Sequence, residues 1–178
     1  MGTTEKLYAP AALRFLAALV PLFCGLLGVV IANIPISFVG GAVPPPLLAL
    51  VPVYFWCLVR PDLMTPAAAF AVGVLEDVMS GAPPGVWTLS FVLAYALVAR
   101  QRESFAGLAG LGAVLGFAAA ALASIAAAYL IVSVYYWQLP PLGPVVAQLA
   151  MTVAAYIPAT YVVAWVHHRA VGPLRSDF

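Results

Sequence analysis

FAGLAGLGAVLGFAAAALASIAAAYLIVSVYY, residues 105 to 136, is an unbroken apolar run of 32 residues. As one helix it would extend about 48 Å, well beyond a hydrocarbon core of about 30 Å. Two spans of about 20 residues each do not fit into it. A split would also carry the C-terminal Arg169 and Arg175 to the side of the membrane opposite the other basic residues. The run therefore reads as one long helix, tilted or protruding, whose outer end at Tyr135-Tyr136-Trp137 has the composition of an interfacial aromatic belt.

Working outward from that run, the chain divides into six apolar segments, at about 11–32, 44–59, 65–80, 86–99, 105–136 and 143–166. Alternating spans put Lys6, Arg14, Arg60, Arg100, Arg102, Arg169 and Arg175 on one face. The opposite connections, Ile34 to Pro44, Gly81 to Pro84 and Gln138 to Pro141, carry no basic residue. Basic loops translocate poorly, so the charged face is assigned to the cytoplasm and both termini lie inside. The expected fold is an all-α membrane protein of six transmembrane helices, N-in/C-in, forming a single domain.

Composition agrees. Of 178 residues 65% are hydrophobic and 7% charged, against about 25% charged in an average soluble domain. The mean hydropathy is +1.09. A net charge of +1 offers no basic field for nucleic acid. Cys24 and Cys57 both sit in apolar runs and read as small buried hydrophobes. The first run follows Lys6 and Arg14 but is longer than a signal core and lacks a small-x-small cleavage site, so it reads as an uncleaved first span.

Breakers punctuate the spans. Helix two is expected to start at Pro44-Pro45-Pro46, since proline is tolerated in a first turn. It stops at Arg60-Pro61, where Asp62 offers a local surface partner of small energetic weight. Helix three is short and ends in Gly81-Ala82-Pro83-Pro84-Gly85. Helix four is equally brief, and the pair could form a re-entrant-like hairpin packed within the protein.

Glu76-Asp77 is the acidic pair inside a span. Carboxylates there are expensive and mark pairing or function. Asp77 lies about one turn from the breaker at Gly81, near the outer interface. Adjacent helical positions point about 100° apart, so the two acids cannot serve one narrow partner. Asp77 shares the side of Gly73, where a second helix could approach closely. Three roles stay open for the pair: bonds to the Gly-Pro turn or the start of helix four, a contact with another helix or a partner, and ion or substrate binding. Glu76, Asp77, Gly73, Gly81, Gly85 and Trp87 are the candidate partner-contact residues. Gly112, Gly116, Ala120, Ser124 and Ala128 form a small-xxx-small ladder suited to close helix packing. The ladder sits in a stretch, Phe105 to Ala128, where 16 of 24 residues are Gly, Ala or Ser, so composition alone can generate it.

Nothing in the chain spells out catalysis or a cofactor. There is no G-x-S-x-G, H-E-x-x-H or Walker loop. His167-His168 are neighbours that diverge on a helix, with no Cys, Asp or Glu close in sequence to complete a metal site. Proline interruptions at Pro21, Pro52, Pro66 and Pro158 come without the midplane charge expected of a transporter site.

From Leu50 to Ala99 the chain resembles a known family. Tyr54-Phe55-Trp56 precedes Arg60-Pro61; then come Phe70, Gly73, Leu75-Glu76-Asp77, Ser80-Gly81, Gly85 and an apolar helix closed by Arg100. That order is similar to the rod shape-determining protein MreD family, small polytopic inner-membrane proteins of rod-shaped bacteria. Pro83-Pro84 and the Ala-rich fifth helix are departures from the usual pattern.

The resemblance implies a non-enzymatic scaffold of the cell-elongation machinery. It would act with an MreC-like bitopic membrane protein, and indirectly with an MreB-type filament, a RodA-type glycosyltransferase and a class B penicillin-binding protein in lateral peptidoglycan synthesis. The family's spans also look similar to the substrate-binding subunits of energy-coupling-factor transporters, which makes a vitamin-type binding subunit the rival reading.

Overall fold

The computed structural model describes residues 11–34, 44–103 and 110–171. Lys6, Arg175, the Gly40-Gly41 loop and the expected start of helix five at 105–109 lie outside the described residues, as does the side chain of Arg14. Within the described residues there are six α-helices and no strand: α1 (Ala11–Ala32), α2 (Leu50–Val59), α3 (Pro66–Ser80), α4 (Val86–Arg100), α5 (Leu111–Tyr136) and α6 (Leu142–Val166). A π-helical turn, His167–Val171, continues α6. By length and apolar composition, α5 and α6 are each sufficient to cross a membrane. The 26 residues of α5 rise about 39 Å.

Helix two begins six residues later than the sequence suggests. Residues 44–47 carry no helical turn, and α2 starts at Leu50. Each proline of Pro44-Pro45-Pro46 pushes its predecessor out of the helical region and lacks an N–H of its own. A row of three therefore delays the helix rather than opening it. The lead-in is tied down by α6: Leu47 N–H donates to Thr152 Oγ1 at 3.0 Å, and Gln148 Nε2 donates to the Pro45 carbonyl at 3.1 Å.

The core is apolar and centred on α2. Leu50, Val51, Val53, Tyr54, Trp56 and Cys57 are buried against α4, α5 and α6. Tyr54 meets Phe117 of α5 and Tyr156 of α6 edge-on, at 5.4 and 6.0 Å between ring centres. Phe117 and Tyr156 stack at 4.3 Å. In lipid such van der Waals packing replaces the hydrophobic drive between helices. Small residues let α1 in closely, because a Cβ on Gly28 would stand 2.9 Å from the Ala49 Cα.

The helices alternate, so chemistry segregates to two ends. At one end His167 packs on Phe55 and Trp56, and Tyr95 Oη donates to the Met64 carbonyl at 3.0 Å. The same end carries Arg60 and Asp62, paired at 2.9 Å. At the other end lie the close of α1, the α3–α4 turn and the α5–α6 turn.

Candidate functional site at the α3–α4 turn

Helix α3 is bounded by standard devices. Thr65 caps its start by accepting from Ala68 N–H at 3.2 Å, with Pro66 at the first helical position. Gly81 closes it at φ +66°, a left-handed conformation that glycine adopts without penalty. Four residues later Gly85, at φ +97°, opens α4.

A glycine N-cap has no side-chain oxygen to offer the free N–H groups of the first turn. Asp77, one helix away, supplies it. Its carboxylate accepts from the backbone N–H of Gly85 (2.9 Å), Trp87 (2.7 Å) and Thr88 (3.2 Å), and from the Thr88 hydroxyl (2.5 Å). A negative charge at a helix N-terminus is also favoured by the helix dipole. Gly73, one turn earlier on α3, makes this reach possible. A Cβ there would sit 2.5 Å from the Thr88 Cα, so α3 and α4 touch backbone to backbone.

Glu76 faces elsewhere. It is 3% exposed and accepts from Asn33 Nδ2 at 3.1 Å, while Asn33 also donates to the Val29 carbonyl at 3.0 Å. Its second oxygen, Oε2, is buried with no hydrogen-bond partner among the described residues. The bond clasps the end of α1 to α3.

The structure thus brings Gly73, Asp77, Gly81, Gly85 and the backbone N–H of Trp87 together, and turns Glu76 and the Trp87 ring away from them. Trp87 turns its ring towards Phe91 and lines a cavity of about 160 Å³ with Tyr129, Pro140 and Gln148. On α5, Gly116, Ala120, Ser124 and Ala128 are buried inside the bundle and Gly112 is half-buried. Three residues that the sequence did not single out complete the arrangement: Asn33, Thr88 and Thr152. Thr88 was detectable as the third residue of a helix with a glycine cap, and Asn33 as the polar residue closing an apolar run.

On its outer side the α3–α4 hairpin carries a groove of about 690 Å³. It is lined by the apolar Phe70, Val74, Val78 and Leu89 and by Asp77, Gly81, Gly85 and Thr88 of the capping unit.

No curated protein and no solved structure matches the chain. A family pattern does: the one described as rod shape-determining protein MreD matches residues 13–157. The chain belongs to the MreD family.

Proposed function

We propose that this protein is a non-enzymatic scaffold of the cell-elongation machinery, embedded in the bacterial inner membrane by six spans with both termini in the cytoplasm. Family membership supports a role in rod shape determination, and the family is one of shape-determining structural proteins of the membrane. It is the observation that carries the reading. The scaffold would support lateral peptidoglycan synthesis through an MreC-like bitopic partner, and through it an MreB-type filament, a RodA-type glycosyltransferase and a class B penicillin-binding protein.

The geometry supports a contact role. Asp77 is engaged by four donors of its own chain and Glu76 by Asn33, so both acids hold helices together rather than facing a solute. The basic residues Arg60, Arg100, Arg102 and Arg169 follow or close α2, α4 and α6 at one end, which suits a cytoplasmic face. Crosslinking at native expression, followed by mild-detergent purification and mass spectrometry, tests the reading. Recovery of a bitopic partner with wall-synthesis enzymes is expected. Recovery of an ATPase pair with a coupling subunit would replace it with a solute-binding role.

A further inference from the structure

Helix α6 turns most of its surface outward, and one stripe of it changes character along its length. Ile157, Tyr161 and Trp165 follow one another at four-residue spacing and are 52, 75 and 61% exposed. Residues four apart share a helix face, and Arg169, in the π-helical turn, continues the row. Its guanidinium lies 5.6 Å from the centre of the Trp165 ring. From Ile157 to Arg169 the helix rises about 18 Å, close to the height of one leaflet of a bilayer that is about 40–45 Å thick with its headgroups. The stripe passes from aliphatic through amphipathic aromatic to cationic. A phospholipid passes in the same order from acyl chain through glycerol ester to phosphate.

A cation at a helix C-terminus is favoured by the helix dipole, which is the ordinary reason for an arginine to stand here. The dipole leaves the counter-charge open. Among the described residues the Arg169 guanidinium makes no hydrogen bond or ion pair, and the one ion pair there is Arg60–Asp62. Nor does the surrounding chain supply an anion. Between Glu103 and Asp177 there is no Asp or Glu, so α5 and α6 carry none. The face is a cation beside exposed aromatics with no acid on its own helix or the next. A guanidinium stacked on an aromatic ring keeps its N–H edge free for a phosphate, which it grips with two parallel hydrogen bonds.

We propose that this stripe seats one anionic phospholipid of the leaflet at this end of the molecule, its phosphate on Arg169 and an acyl chain along Tyr161 and Ile157. Charge selects that occupant. A zwitterionic headgroup brings its own cation to the phosphate and gains less from an unpaired arginine. An anionic headgroup brings net negative charge to a stripe whose only charge is positive. The proposal rests on the membrane setting of α6, and neither on the scaffold reading nor on which leaflet is cytoplasmic.

The full chain is purified in mild detergent and offered phosphatidylglycerol and phosphatidylcholine in equal amounts, and the bound lipid is counted by native mass spectrometry. Wild type is expected to retain phosphatidylglycerol preferentially. Arg169→Gln, at an exposed position away from the core, should lower that preference about fivefold, the weight of one arginine at a charged membrane surface. Trp165→Leu should lower it about twofold through loss of the stack. Arg100→Gln removes an equal charge at the same end, from α4, and is expected to bind as wild type does. Equal retention by Arg169→Gln overturns the site. An equal fall in Arg100→Gln replaces it with a diffuse basic field, and a wild type without preference overturns it as well. Independently, a photoreactive benzoylphenylalanine at position 161 is irradiated in intact cells and is expected to label phospholipid. Adducts with an acidic segment of a protein overturn the proposal, and each of these failures leaves the scaffold reading standing.

Discussion

Asp77 and Thr88 are joined twice: the same carboxylate oxygen accepts the Thr88 backbone N–H at 3.2 Å and its hydroxyl at 2.5 Å. Eleven residues of chain separate them, yet they form one capping unit. Helix α4 starts at a glycine, and its first turn is satisfied from α3. The hairpin therefore folds as a unit, because neither its turn nor the start of α4 is complete without Asp77.

Removing that carboxylate should loosen the hairpin. Asp77→Ala loses a helix cap and strands buried donors, a loss of about 2–4 kcal/mol. Asp77→Asn, itself a capping residue, should lose less. Unfolding by SDS titration in mild detergent measures both, and an alanine variant as stable as wild type would refute the capping role.

Two glycines of the same hairpin should respond differently. At Gly73 a methyl group meets the Thr88 backbone, so Gly73→Ala forces the helices apart at about 1–3 kcal/mol. At Gly81 nothing stands within 4 Å, and only the positive φ resists, at about 1–2 kcal/mol. Two further variants discriminate between the sites. Gly73→Val should abolish the compact form on gel filtration, whereas Gly81→Asn, which tolerates the left-handed region, should restore near-native stability.

Glu76 and Asn33 should couple. A double-mutant cycle with Glu76→Ala and Asn33→Ala is expected to return an interaction of about 0.6 kcal/mol, the average for hydrogen bonds between membrane helices, and at most about 1.7 kcal/mol. Strict additivity of the two single changes would show that the clasp contributes nothing.

The buried stripe of α5 should tolerate no enlargement. Ala120→Leu inserts volume into a packed face and should destabilise by about 1–3 kcal/mol. Leu122→Ala, on the exposed face, should be near neutral. Thermal unfolding in detergent ranks the two; the reverse order would contradict the burial of this stripe.

The inner turn should show a weak acid response. The hydrogen bond from Arg60 holds the Asp62 carboxyl below its ordinary value, opposed by partial burial and aided by attraction to Arg60 and Arg102. A depressed folded-state value means that the pair stabilises above the unfolded value of about 3.9 and loses that stabilisation as pH falls through the folded one. Asp62 is 53% exposed, so solvent screening limits the pair to about 0–1 kcal/mol. Stability of Asp62→Asn against wild type between pH 7 and pH 3 checks this. The difference should shrink towards acid, and one that grows there would reverse the sign.

Much of the architecture is local and was legible in the residues themselves. Apolar runs with Gly and Pro breakers set the helical segments, since a backbone in lipid must satisfy its hydrogen bonds within the segment. Gly81 to Gly85 marked the turn, and the Arg60–Asp62 pair sits two residues apart in the chain. Pro44-Pro45-Pro46 misled because one proline opens a helix well while a row of three keeps it from starting.

What the amino-acid sequence alone determined is thus the helical class, the charge asymmetry of the loops and the roughly 100° divergence of Glu76 from Asp77, all consequences of short-range geometry. Which neighbour each acid would meet depended on how helices distant in sequence pack. Only the tertiary structure decided that Asp77 caps α4 while Glu76 clasps Asn33 of α1, 43 residues away. The same holds for Gly73, which meets the backbone of Thr88 across the α3–α4 contact. A contact that close is set by the crossing of two helices, which no single segment encodes.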